Sequence, residues 1–275
     1  MRVSLIISVY KKLRELELVL SALKEQTEKD FEVIIADDGS GAEIEDFINA
    51  FRKDCGYEIT FITQEDKGFR KNKILNEAIK VSKSDYLIFL DSDCVPHPDF
   101  IKGHAESAEK NTALIGRRVH LGEKLSGMLD RDFITTKYFK RLTRKAFFDS
   151  FRSGDTTISA EEGFLVRNKF LRNVTKSKNN HIVGCNFSVW KEMMLKINGF
   201  DENYVGAGIG EDTDVEYRLG LTGAKFKSVR NLAVVYHLYH PKTKEANTNY
   251  DYFHSNVKLK NEFYCRNGID KTYGG

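Results

Sequence analysis

The chain has 275 residues, with 43 basic and 40 acidic side chains and a formal charge of +3. That length allows one large domain or two small ones, and a hydrophobic fraction of 41% is too high for a disordered chain. Near-neutral charge argues against a dedicated nucleic-acid binder, which carries a strong basic excess. The cysteines, Cys55, Cys94, Cys185 and Cys265, are scattered with no CxxC pair, so neither a zinc ribbon nor a thioredoxin-like motif is available and free thiols are expected.

The first 120 residues alternate regularly. Val3–Val9 is an uninterrupted apolar run that reads as a buried strand and not as a signal peptide. Residues 13–26 carry Leu13, Leu16, Leu20 and Leu23 at helical spacing. A second apolar strand over 31–36 closes on Asp37-Asp38-Gly39-Ser40, followed by a helix bearing Ile44, Phe47, Ile48 and Phe51. Then come the strand Glu58–Thr63, a helix over 72–81, and a strand over 86–90 that stops at Asp91-Ser92-Asp93. Apolar strands separated by single helices imply a parallel sheet covered on both faces, which binds ligands at the carboxyl ends of its strands. Those ends carry Ser8 and Tyr10, then Asp37 and Asp38, then Asp91 and Asp93.

The remainder is less regular. A strand is expected over 113–119, a basic helical region over 124–152, a strand over 183–190, a helix over Glu211–Leu221, a last strand over 225–236 and a terminal helix over 252–265. The segment 158–172 is ambiguous. Nowhere do about 18 apolar residues run together, so no transmembrane helix is expected.

Four features carry chemistry. Asp91 and Asp93 stand one residue apart at a strand end, a spacing that suits a hard divalent cation with open positions for phosphate oxygens; a helix cap or turn is the plainer role. Asp38 could accept a hydrogen bond from a nucleobase N–H, or simply belong to a strand-to-helix turn with Ser40 as cap. Glu211, Asp212 and Asp214 crowd the start of a predicted helix after the glycine-bearing loop 199–208. The helix dipole explains one such acid, whereas three acids in four positions suit a general base. His237 and His240 follow the last strand and offer imidazoles to a Mn²⁺-type site, while His97, His104 and His181 are expected to be structural. A further stretch, Lys137, Lys140, Arg141, Arg144 and Lys145 with Tyr138, Phe139 and Leu142 interleaved, is either a solvated face or a contact with an anionic membrane.

Taken together, the segments VSLIISVY (3–10), FEVIIADDGS (31–40), KGFR (67–70) and FLDSD (89–93) resemble the inverting family 2 glycosyltransferases. Gly184-Cys185-Asn186, the run from Asn198 to Glu202, Gly210-Glu211-Asp212 and Tyr236-His237 resemble a region of β-1,4-galactosyltransferases and of bacterial chondroitin-polymerase-type enzymes. The resemblance implies an α/β GT-A fold, with a Rossmann-like, mostly parallel sheet flanked by helices and a less regular acceptor side. Residues 1–120 would form the nucleotide-sugar half, 121–245 the acceptor and catalytic-base half, and 246–275 a helical tail.

It also implies roles. Ser8, Tyr10, Asp38, Arg70, Asp91 and Ser92 would surround a UDP-sugar, with Asn76 nearby. Asp93, with Asp91 and His237 or His240, would hold Mn²⁺ or Mg²⁺. Asp212 would deprotonate the acceptor, a saccharide or lipid-linked saccharide, while Glu211 holds sugar hydroxyls. The expected location is cytoplasmic, or peripheral on the inner face of the cell membrane. A tryptophan that galactosyltransferases carry three residues before the Glu-Asp pair is Gly208 here, so acceptor recognition does not carry over. Two alternatives are a sugar-nucleotide nucleotidyltransferase, disfavoured because the turn after the first strand, Ser8-Val9-Tyr10-Lys11-Lys12, lacks glycine, and a non-catalytic nucleotide-sugar binding module.

Overall fold

The computed structural model describes residues 1–135, 142–148, 159–168, 181–206, 211–241 and 247–271. Four strands, β1 (Val3–Val9), β2 (Phe31–Asp37), β3 (Glu58–Thr63) and β4 (Tyr86–Asp91), lie parallel in the order β3-β2-β1-β4. They are joined by the helices α1 (Leu13–Lys24), α2 (Ala42–Phe51) and α3 (Lys71–Val81). Every side chain of β1 is buried, and successive residues serve opposite faces: Leu5, Ile7 and Val9 pack with α1 and α2, whereas Ile6 packs with Ile74, Ala78 and Ile79 of α3. This explains why apolar residues of β1 do not alternate with exposed polar ones. Edge strand β3 is only half-buried. Truncating a core residue such as Ile7 to alanine should cost about 2–5 kcal/mol.

Beyond β4 the sheet continues through β8 (Asn186–Trp190), β6 (Thr112–Ile115) and β9 (Lys225–Ser228), with β8 antiparallel to both neighbours. A second sheet has the order β5-β10-β7, made by β5 (Cys94–Pro96), β10 (Val234–His237) and β7 (Arg117–His120). Two expectations are corrected here. The single strand over 113–119 is two strands in different sheets, divided at Gly116, where a Cβ would lie 2.1 Å from the Asn186 side chain. The single strand over 225–236 is likewise divided into β9 and β10. Both breaks let one stretch of chain finish the main sheet and then start the small one.

The basic region 124–152 is also not one helix: short helices cover Glu123–Gly127 and Arg131–Thr135, and residues 142–148 are helical. The terminal helix begins earlier than expected, at Asn247, passes into a π-helical turn at Phe253–Lys258, and gives way to irregular chain before Cys265. Among the described residues no helix is long and apolar enough to cross a membrane.

Candidate active site

The parallel strands bring their carboxyl ends to one edge. Ser8 is the register partner of Asp91, and Val9 that of Asp37. The two carboxylates at the end of β2, Asp37 and Asp38, serve different ends. Asp37 accepts from the Ser40 amide at 3.0 Å and from the Thr63 hydroxyl at 2.7 Å, so it fastens the turn. Gly39 follows at φ +88°, and a Cβ there would press within 2.7 Å of the Asp66 backbone. Asp38 instead is held by the Arg70 amide at 2.9 Å and the Gln64 amide group at 2.5 Å, and burial pushes its pKa up. The Tyr10 phenol, half-exposed at the mouth, donates to Asp66 at 3.2 Å. The Arg70 guanidinium donates to the Glu65 carbonyl. Asn76, expected beside the donor, is fully buried and fastens Phe200 and Glu202 through its amide.

At the end of β4, Asp91 accepts from the Ser8 hydroxyl at 2.6 Å and from the Lys71 ammonium at 2.9 Å, while the Ser92 amide donates to the Ser8 carbonyl at 3.0 Å. Lys71 also reaches Glu211 at 3.2 Å, so a single ammonium joins the sheet to the first turn of the helix Glu211–Leu221. Burial opposes ionisation of Asp91, but Lys71, with Ser8 and Arg118, outweighs it and holds the group at about 2. Glu211 responds in the opposite sense: burial raises its pKa, Lys71 opposes that, and neighbouring Asp212 reinforces it. Asp212 accepts from the Gly184 amide at 3.2 Å and from the Thr213 amide at 2.7 Å. Ser8, Lys71, Asp91, Gly184 and Glu211 line one small pocket, a convergence that the sequence could only suggest.

The second sheet carries the histidines to the same place. His237 pairs in register with Cys94 and with His120, and the Leu238 amide donates to the Asp93 carbonyl at 2.9 Å. The His237 Nε2 lies 3.8 Å from one Asp93 oxygen and the His240 Nε2 3.4 Å from the other. Burial lowers His237 to about 4, with Arg118, His120 and His240 adding to the effect and Asp93 opposing it, so the ring is neutral near pH 7. Ligand atoms of Asp93, Cys94 and His237 lie within 4.8 Å of one another. Burial, with the adjoining Cys185, raises the Cys94 thiol well above its usual range. The carboxylate of Asp93 and the imidazoles of His237 and His240 form a set that fits Mn²⁺ and, less well, Mg²⁺.

Several residues here escaped sequence reasoning. Lys12 donates to Asp93 at 2.5 Å, and Arg118 reaches His120 at 3.2 Å and Cys185 at 3.4 Å. Lys71 sits at the start of a helix whose basic residues look like a solvated face, so its burial had no signal. His120 became visible only once β7 was separated from β6. Arg144 and Lys145 of the basic stretch are exposed, and the Lys145 ammonium lies over the Phe133 ring at 4.9 Å. Lys137, Lys140 and Arg141 lie outside the described residues, as do Gly208 and Gly210.

Comparison with known proteins identifies the family to which this sheet order and this rim of carboxylates belong. The profile of glycosyl transferase family 2 matches residues 4–194, and that of the N-terminal domain of galactosyltransferase matches residues 168–241. The chain belongs to glycosyl transferase family 2 and is a glycosyltransferase domain of the GT-A fold.

It is 27% identical over 251 residues to chondroitin synthase of Escherichia coli, covering 89% of this chain and 36% of that protein. It is 26% identical over 259 residues to hyaluronan synthase of Pasteurella multocida, covering 89% of this chain and 25% of that protein. The chain thus spans about a third or less of the length of these relatives. Among solved structures, Staphylococcus aureus TarS in complex with UDP-GlcNAc superposes with a TM-score of 0.58 at 16% identity, covering 88% of this chain and 60% of that one. GalNAc-T7 with UDP, GalNAc and Mn²⁺ gives 0.62 at 14% identity, covering 94% and 48%. At such identities the likeness concerns the fold alone.

Proposed function

We propose that the chain is an inverting, metal-dependent transferase that moves a hexose or N-acetylhexosamine from a UDP-sugar to a hydroxyl of a saccharide or glycolipid, forming a β-glycosidic bond in surface polysaccharide assembly. The observation that carries this reading is the meeting of two carboxylate groups from distant parts of the chain: Asp91 and Asp93 at the sheet edge, and Glu211 and Asp212 at the opposing helix, joined through Lys71. The relatives named as chondroitin and hyaluronan synthases, and the neighbour solved with UDP-GlcNAc, support a sugar-nucleotide donor and a saccharide acceptor.

In this reading Asp38, steadied by Gln64 and Arg70, receives the uracil N–H, while Ser8 and Tyr10 border the nucleoside, and Arg70 and Ser92 complete that side. Asp93, with His237 and His240, would hold a divalent cation, which when bound supplies Lewis-acid stabilisation of the departing diphosphate. Asp91, already committed to Ser8 and Lys71, orients the donor side. Asp212, held by the Gly184 amide, takes the proton from the attacking acceptor hydroxyl. Glu211 beside it accepts from sugar hydroxyls. Attack from the face opposite the diphosphate inverts the anomeric centre, so an α-linked donor gives a β-glycoside. The basic stretch at 137–145 would rest on the membrane that carries a lipid-linked acceptor.

A donor screen tests the reading. Thermal shift is measured for each UDP- and GDP-sugar with and without Mn²⁺, and transfer is then followed with the stabilising donor. Stabilisation by one UDP-sugar that depends on Mn²⁺ is the expected result; stabilisation by GDP-sugars only, or by UDP-sugars equally without metal, would overturn the donor and metal assignments.

A further inference from the structure

Both carboxylates of the Asp91-Ser92-Asp93 motif carry an ammonium from the chain itself, and the two ammoniums are held differently. Lys71, the first residue of α3, is half-buried between Asp91 and Glu211 and is fixed from both sides. Lys12 reaches Asp93 at 2.5 Å from the turn between β1 and α1, with its side chain 35% exposed. Its flexible four-carbon stem and three rotatable donors suit a group that changes partners.

The placement of that turn matters. Lys11 sits at φ +52°, a left-handed conformation uncommon for a residue with a side chain. Its amide donates to the Ser40 hydroxyl at 2.8 Å, a backbone contact that holds the turn leading to Lys12. The turn leads into α1 between β2 and β4, where the strand order diverges from β1, and open α/β sheets place nucleotide phosphates at that point. Lys12 therefore has its ammonium on the carboxylate that faces the imidazoles, in the turn where such sheets receive phosphates. An oxygen with an ammonium at 2.5 Å cannot also carry a divalent cation at about 2.1 Å without placing two positive charges in contact.

We propose that Lys12 is the resident counter-cation of Asp93: it neutralises the carboxylate whenever no divalent cation is bound, leaves it when one enters among Asp93, His237 and His240, and then turns to the donor's diphosphate. This rests on the metal reading given above and assigns the exchange partner. Lys71 cannot take that part, because both of its carboxylates hold it inside.

The test is Mn²⁺ titrated into metal-free protein, with free Mn²⁺ read by electron paramagnetic resonance, for wild type, Lys12→Met and Lys11→Met. Lys12→Met is expected to bind Mn²⁺ several-fold more tightly, since its competitor is gone, and to bind UDP several-fold more weakly in the presence of Mn²⁺. Lys11→Met should match wild type in Mn²⁺ affinity. Folded Lys12→Met with unchanged or weaker Mn²⁺ binding overturns the exchange. Wild-type protein that binds no Mn²⁺ overturns the metal reading on which it rests. Should Lys12→Met fail to fold by circular dichroism, Lys12→Gln carries the same comparison.

Discussion

The wall of the site built by residues 3–91 and the wall gathered from residues 93–120 and 184–240 meet across a few ångströms, yet they are made by different means. The first consists of consecutive parallel strands whose ends arrive together because the strands are neighbours in the sheet. The second is gathered from β5, β7, β8, β10 and the helix Glu211–Leu221, whose segments are far apart in sequence and belong to two sheets. The first wall is a rigid shelf. The second depends on individual tethers such as Lys71 to Glu211, Gly184 to Asp212, and the Asn186 side chain, which donates to the Arg117 and Ala233 carbonyls at 2.8 and 2.9 Å. Chemistry that relies on a base being placed against a donor therefore depends most on these tethers.

The comparison is broken most sharply at Asp212. Asp212→Asn keeps the tether to Gly184 but not the basicity, and transfer should fall by roughly 10²- to 10⁴-fold with an unchanged circular dichroism spectrum. A folded variant with wild-type transfer would remove Asp212 from the chemistry. Asp93→Asn comes next. Losing a direct ligand should weaken Mn²⁺ binding by more than the roughly 10–100-fold typical of outer partners. Asp91→Asn should weaken it less, because Asp91 is engaged by Ser8 and Lys71; equal losses would make the two aspartates equal ligands.

Lys71→Met tests the join between the walls. Leaving the half-buried Asp91 and Glu211 without their cation should destabilise the fold by about 1–3 kcal/mol, read from the urea midpoint. The pH dependence has a defined sign. Asp91 is held at about 2, below the ordinary carboxylate value, so its contribution is complete above about 4 and fades as pH falls towards 2. Lys71→Met should flatten that acid-side loss.

His104 provides a subtler probe of the second wall. It is fully buried between the Ser188 hydroxyl at 2.8 Å and the Asn186 side chain at 2.9 Å, and burial holds its ring at about 4. The unfolded ring takes up a proton below about 6.5 while the folded one does not, so stability should decline progressively from there to about pH 4. His104→Gln should lose much of the slope in melting temperature over that window; an unchanged slope would assign it to other groups, such as His237. The smallest effect on chemistry is expected at the basic stretch. Arg144→Glu with Lys145→Glu should leave transfer to a soluble acceptor near the wild-type rate while reducing sedimentation with anionic vesicles. Unchanged sedimentation would make the stretch a solvated face.

Legibility in the sequence followed the same division. β1 to β4, α1 to α3 and the acids at their ends were readable because local periodicity and short connections placed them without reference to the rest of the chain. Glu211–Leu221 was readable for the same reason, as a helix opening on acids. The run over 113–119 looks like one strand because an apolar run does not record a change of sheet, and Gly116 marks that change only through the Asn186 side chain pressed against it. The run over 225–236 conceals its change of sheet in the same way. Lys12, Lys71, Arg118 and His120 had no local signature, since lysines and arginines are usually solvated and each acquires its partner from another element.

Hydrophobic period and turn chemistry act over a few residues, so the α/β class, the parallel shelf and the set of acids and imidazoles follow from the amino-acid order alone. Which of those groups share a pocket, and in what state, follows from how distant segments pack. Asp91 is ionised against Lys71, Glu211 is pushed towards its neutral form, and His237 is neutral beside Asp93. Those states arise from burial and from charges brought in by distant segments, which a linear reading does not contain.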